Sequence, residues 1–316
     1  MDMQIIRIGT LCALTAVGCS GGQNPKAYVG LFGDKAIAVL DTVTQKVLKT
    51  MAVTAPDGMV ITPDGKKLYV SSTDSGVVEV IATANDTIIS SINVGAMPAG
   101  LSITPDGKQV IVSVGGANQA AVIDTASDTV VSQTTVAKAH NAAISPDGHL
   151  AYVASQVSAA PAIVAVDLTA AAAQPKSFSI AKSPRALADA PWGKIYFSAQ
   201  GDDALEVMDP ATGQVGTPIA TGGSPHDTRP TLDGKLELVV SQTAGELELI
   251  DPNLASVVAK VATGKMPHWI GLSSDGLRAY VTNEGDNNVV VVDLNAKSVT
   301  QTIAIGNAPR KIALQP

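Results

Sequence analysis

The feature that most constrains this chain is its repetition. Pro-Asp-Gly or a close variant returns at Pro63-Asp64-Gly65, Pro105-Asp106-Gly107, Pro146-Asp147-Gly148, Pro191-Trp192-Gly193, Leu232-Asp233-Gly234 and Ser274-Asp275-Gly276. Seven residues before each stands a second landmark: Pro56, Pro98, Ala139, Pro184, Pro225 and Pro267, with one more at Pro309. The steps between these landmarks are 42, 41, 45, 41, 42 and 42 residues. A period kept this closely dictates an array of like units, each burying its apolar face against the next.

Each unit reads as four short strands. A run such as Leu101-Ser102-Ile103 follows the landmark, then comes the Pro-Asp-Gly turn, in which Pro presets φ and Gly takes φ > 0. A β-rich second strand follows, as in Leu68-Tyr69-Val70 or Ile195-Tyr196-Phe197, then a third, as in Val290-Val291-Val292-Asp293. A more polar fourth strand, such as Thr87 to Ile92, closes the unit. No long stretch of 3.6 periodicity interrupts the series. Four strands in about 40 residues is the pattern of a propeller blade. The chain opens on a second strand, Ala27-Tyr28-Val29, and ends on a first strand, Arg310 to Leu314. The reading is therefore an all-β, seven-bladed propeller over residues 26–316. Its C-terminal strand completes the N-terminal blade and removes an open edge.

Tyr280-Val281-Thr282-Asn283 resembles the tetrapeptide that names the YVTN β-propeller repeat family. Val292-Asp293, Ile305-Gly306-Asn307-Ala308-Pro309 and Ser145-Pro146-Asp147-Gly148 extend the resemblance, which covers Lys26 to Pro316. It implies the fold. For function it implies a range only, since similar propellers include surface proteins, binding modules, lactonases, lyases and enzyme subunits.

Residues 1–18 read as a signal peptide: a short n-region to Arg7, then an apolar stretch, Ile8 to Val17, too short to span a bilayer. It ends in Leu14-Thr15-Ala16-Val17-Gly18-Cys19-Ser20, which resembles the lipobox of bacterial lipoproteins, with Ala16 where Leu is commoner. Cys12 falls in the segment to be removed, so Cys19 would be the one thiol of the mature chain, and a thioether to lipid accounts for it. The alternative is ordinary cleavage after Gly18 with Cys19 incidental. Residues 19–25 read as a lipidated Cys and flexible tether. The expectation is an exported monomer, anchored by lipid alone on the periplasmic side of a bacterial membrane or at the cell surface.

A net charge of −7 argues against a basic nucleic-acid surface, and 3% aromatics against a base-stacking platform. With 46% hydrophobic residues the core must be aliphatic. There is no Gly-x-Ser-x-Gly elbow, His-Glu-x-x-His helix, Walker loop or dinucleotide fingerprint. Cys-x-x-Cys-His is absent too, which excludes covalent c-type haem.

In a propeller the first strand of each blade lines the axis. The residue after each landmark should thus form a ring at one mouth: Asp57, Ala99, His140, Arg185, His226, His268 and Arg310. Three of the four His in the chain share this column. The fourth, His149, follows a turn and reads as solvated surface. The column supports two forms of chemistry. His140, His226 and His268 could ligate Zn²⁺, Mn²⁺ or Fe²⁺ with an open position. Alternatively one of them acts as general acid or base while Arg185 and Arg310 grip a carboxylate or phosphate. Bland polar lining is the competing explanation. Asp57, Asp227 and Trp269 are candidate ligand contacts, with Gln156, Gln200, Gln242, Asn283 and Glu284 behind them. The Asp that ends the third strand in six units, from Asp41 to Asp293, reads as a turn residue.

Three functions follow: a propeller that binds an anionic small molecule or metal at a His/Arg mouth; a lyase or lactonase-like hydrolase using a mouth His; or a structural or protein-interaction propeller.

Overall fold

The computed structural model describes residues 24–170 and 173–316, and the side chains of these except at 189 and 190. The signal segment, and Cys19 with its lipid assignment, lie outside the described residues. Twenty-eight strands, β1 to β28, form seven four-stranded antiparallel sheets. Six blades are consecutive in sequence. The seventh takes its inner strand from the C-terminus: β28 (Pro309–Leu314) pairs with β1 (Lys26–Leu31), followed by β2 (Ala36–Asp41) and β3 (Lys46–Ala52). Calling that blade 1, the others are numbered in chain order. The described residues contain no helix long and apolar enough to cross a membrane.

The inner strands are β28, β4 (Pro56–Ile61), β8 (Pro98–Ile103), β12 (Ala139–Ile144), β16 (Pro184–Ala190), β20 (Pro225–Pro230) and β24 (Pro267–Leu272). Each packs beside the inner strands of both neighbouring blades, which closes the ring. The core between blades is aliphatic. Val78, Val80, Val110 and Ile123 pack together between blades 2 and 3, and Leu247, Leu249, Val290 and Val292 between blades 6 and 7. Burying each such side chain contributes about 2 kcal/mol. The outer strands alternate poorly and stay wet, as the exposure of most of β3 shows.

Two polar devices join blades 1 to 3. Asp86, in a turn of blade 2, accepts from Lys26 Nζ at 2.8 Å and Tyr28 OH at 2.6 Å. Burial pushes the Asp86 carboxyl up, but these bonds outweigh it and hold it below the usual range. Asp128 repeats the device for Lys67 and Tyr69 one blade on. The recurrent third-strand Asp is a turn residue: Asp41 accepts from the Val43 and Thr44 N–H groups, and Asp124 from those of Ala126 and Ser127. The end of the segment read as a tether is bound to the ring. Asn24 Nδ2 donates to Asp41 at 2.9 Å, and Thr42 Oγ1 donates to the Pro25 carbonyl at 2.8 Å.

Candidate functional site

Every inner strand carries a register shift just after its landmark, for example between Pro184 and Leu187, Pro225 and Thr228, or Pro267 and Trp269. In a regular strand, consecutive residues face opposite sides. A bulge breaks that alternation and re-aims side chains. Consecutive residues therefore both reach the axis: His140 with Asn141, His268 with Trp269, and Arg310 with Lys311 line one cavity. A hydroxyl from the preceding blade's second strand fixes some of these turns. Ser198 donates to the His226 carbonyl at 2.5 Å and Thr282 to that of Arg310 at 2.6 Å.

The mouth cavity measures about 310 Å³. Asp57, His140, Arg185, His226, His268 and Arg310 form its upper layer, so six of the seven column positions meet there. Trp269, Asn141 and Lys311 form the floor, and the same three residues line a second cavity of about 490 Å³ from the opposite face. That second cavity has apolar walls, including Met59, Leu101 and Leu187. Asp227 belongs to it rather than to the mouth, and accepts the Ile270 N–H at 2.9 Å.

The rings of His226 and His268 lie 4.0 Å apart, centroid to centroid, tilted by 43°. Both are almost fully buried, and the Nδ1 atom of each has no hydrogen-bond partner. Burial drives both imidazoles well below their usual pKa. The cations Arg185 and Lys311 push them further, as do His140 on His226 and His226 on His268, while a hydrogen bond with the His268 backbone opposes the shift of His226. They are neutral at pH 7, each with one N–H and one lone pair. His140 is also lowered by burial, with Asp57 opposing, and its Nδ1 lies 2.8 Å from Asn141 Nδ2.

Arg310 is committed. Its Nε and Nη2 reach Glu284 Oε1 at 3.2 and 3.1 Å, and its guanidinium covers the Phe32 ring at 3.7 Å. Glu284 Oε2 stands 3.7 Å from His268 Nε2. Arg185 is uncommitted: among the described residues no carboxylate lies within ion-pair distance of its half-buried guanidinium, and burial lowers its pKa.

The three imidazoles do not form the metal site that the sequence suggested. Among the described residues no group of three or more His, Cys, Asp or Glu is placed to hold a metal ion. His226 and His268 face each other, His140 is held by Asn141, and three cations share the cavity. A divalent ion would meet their repulsion.

The second-rank loop residues divide. Glu284 and Gln242 line the mouth. Gln156 donates to the Pro184 carbonyl at 2.8 Å, and Asn283 to the Thr263 carbonyl at 2.9 Å, as structural ties. Sequence reasoning missed Asn141 and Lys311. The available signal was the lysine itself, which interrupts the apolar inner strand ending Ile312-Ala313-Leu314.

A seven-bladed ring of these repeats, with a polar mouth on one face, defines the class: a YVTN-type repeat propeller. Residues 143–314, just over half of the chain, match the family described as YNCE-like beta-propeller, and the chain belongs to that family. Compared with curated protein sequences, the chain finds no match. Among solved structures it is similar to a hydrazine synthase chain from Kuenenia stuttgartiensis, with 21% identity over 90% of this chain and 99% of that one and a TM-score of 0.75. It is also similar to the periplasmic gluconolactonase PpgL of Pseudomonas aeruginosa, with 15% identity, 92% and 99% coverage and a TM-score of 0.75. Apo AztD of Citrobacter koseri aligns at 13% identity over 92% and 97%, with a TM-score of 0.68. At these identities the likeness speaks for the fold alone.

Proposed function

We propose that this protein is an exported, lipid-anchored propeller that binds a small anionic molecule at the His/Arg mouth. The carrying observation is Arg185, a half-buried guanidinium without a carboxylate partner among the described residues, opening on a cavity of about 310 Å³. A cation removed from water needs a counter-charge, and a fork of N–H donors fits a carboxylate or phosphate. The neutral His226 and His268 complete the cavity wall beside Arg185. Titration calorimetry against a panel of carboxylates and organic phosphates tests this. Saturable binding weakened ~30-fold in Arg185→Gln is the expected result; a wild-type protein that binds no anion overturns it. The lipobox-like segment ending at Cys19 supports the anchor, and the intact mass of membrane-extracted protein tests it, since an unmodified Cys19 rules it out.

One contact favours a second reading, a hydrolase of lactone type. With Glu284 Oε2 3.7 Å from His268 Nε2, this pair could take a proton from water. That water adds to the lactone carbonyl, the ring C–O bond breaks, and the proton returns to the leaving oxygen. The product is a hydroxy acid, whose carboxylate Arg185 would hold. Lactone turnover by wild type that disappears in His268→Gln distinguishes this enzyme from a binding protein.

A further inference from the structure

Two lysines of this protein are equally buried, and they could hardly be treated more differently. Lys26 and Lys311 are each 5% exposed. Lys26 Nζ has the Asp86 carboxylate at 2.8 Å and the Thr83 carbonyl at 2.8 Å. Lys311 Nζ has only the amide oxygen of Asn141, at 3.0 Å, and the face of Trp269, whose ring centre is 2.8 Å away. Among the described residues no carboxylate stands within ion-pair distance of it. An ammonium carries three donors, so Asn141 leaves part of its capacity unspent. A buried charge in this condition is costly unless something outside the chain completes it.

We propose that Lys311 is the second anchor of the mouth site, and that its ligand is a short dianion: a dicarboxylate with one end on Arg185 and the other on Lys311. This rests on the anion-binding reading above and narrows it. Both uncommitted cations line one cavity, Arg185 in the upper layer and Lys311 in the floor. They come from different blades, so a ligand bridging them crosses the cavity instead of lying on one wall. Asn141 sets the geometry between them. Its Nδ2 donates to the Arg185 carbonyl at 2.9 Å while its Oδ1 holds Lys311. The other cation of the mouth, Arg310, is spent on Glu284. Asp57 is the carboxylate that opposes the ligand. It faces the cavity from blade 2, and its charge acts on both His140 and Lys311. Asp227 reaches Lys311 electrostatically from the layer beneath, alongside Arg229. Burial outweighs these carboxylates and depresses the Lys311 pKa to about 7, so an arriving carboxylate would draw a proton onto the amine.

The test compares succinate with butyrate, acids of equal carbon number, by titration calorimetry on the full chain. Wild type should bind succinate at least ~10-fold more tightly, a difference of about 1.4 kcal/mol. In Lys311→Met the preference should fall to about 1 while the melting temperature holds or rises, which a merely structural lysine would not permit. A second measurement needs no variant: succinate should protect Lys311 from reductive dimethylation, read by peptide mass, and butyrate should not. Butyrate binding as tightly as succinate, or a preference kept in Lys311→Met, overturns the proposal and leaves the anion site standing. A Lys311→Met protein that melts lower also overturns it, by assigning the lysine to structure. Failure of both acids and of every other anion overturns the site itself.

Discussion

The two sides of the axis are built from one repeat and behave as opposites. On the side of blades 2 and 3 the inner strands begin Asp57-Gly58 and Ala99-Gly100. On the other side they begin His140-Asn141, Arg185-Ala186, His226-Asp227, His268-Trp269 and Arg310-Lys311. A Cβ on Gly58 would sit 2.2 Å from the Ala99 carbonyl oxygen, and one on Gly100 would sit 2.1 Å from Asn141 Oδ1. Blades 2 and 3 therefore bring bare backbone against the next blade around the axis. Blades 1, 4, 6 and 7 fill the space with two large side chains per strand, and blade 5 with Arg185 beside the small Ala186. The difference shows that an off-centre cleft in a near-symmetric ring needs no change of fold. Glycine at one column position on one side, and bulk at the same position on the other, is sufficient.

The sharpest way to break the contrast is to put bulk on the glycine side. Gly58→Val drives a branched side chain into backbone that cannot yield, and should cost about 3 kcal/mol or more. The urea unfolding midpoint reads this, and an unchanged midpoint would mean that the blades are not so close.

On the crowded side, the buried charges should show in the pH dependence of stability. Burial depresses the Lys311 pKa from its ordinary 10.5 to about 7, so between these values the unfolded chain binds more protons. Stability should then rise with pH from about 7 to about 10, by an amount on the order of a few kcal/mol at most. Asp227 has the opposite sign. Burial raises it to about 6, and its contribution falls as pH rises from about 4 to about 6. Urea titrations of wild type and Lys311→Met at about pH 6.5 and about pH 9.5 should differ in how stability changes with pH. Parallel behaviour would remove Lys311 from the account.

Arg185→Gln should weaken anion binding by about 2 kcal/mol, or ~30-fold, because it removes a charged donor pair with no protein partner to leave stranded. Its melting temperature should stay near that of wild type, which calorimetry checks. The smallest effect belongs to Asp57, on the sparse side. Asp57→Asn removes the opposing charge and should tighten anion binding by about 0.5–1 kcal/mol. A loss of affinity there would mean that Asp57 contacts the ligand directly.

The ring was legible in the sequence because the period is long, regular and punctuated by residues with fixed backbone demands, such as Pro63 and Gly65. The mouth column was legible for the same reason, since Asp57, His140, Arg185, His226, His268 and Arg310 share one offset from a landmark. The floor was not. Reading a strand assumes that neighbours face opposite ways, which assigns Asn141 and Lys311 to a side away from the axis. The bulge between Pro309 and Ile312 reverses that, and no single side chain advertises it. Nor does the sequence indicate that Glu284 would be spent on Arg310, leaving Arg185 alone. Ion pairing across blades depends on distances that the repeat period does not encode.

Arg310 and Lys311 lie on β28, the strand that fastens the circle to β1, with Gln315 donating to the Gly65 carbonyl at 2.9 Å and accepting the Lys26 N–H at 2.9 Å. The clasp of the ring thus carries part of the pocket. During synthesis the site stays incomplete until β28 has emerged and docked on β1, so ligand capture reports a closed ring. Anything held by Lys311 would in turn hold the clasp shut, because a ligand that favours the closed circle raises the work of opening it. Occupancy and resistance to unfolding from the C-terminus should rise together.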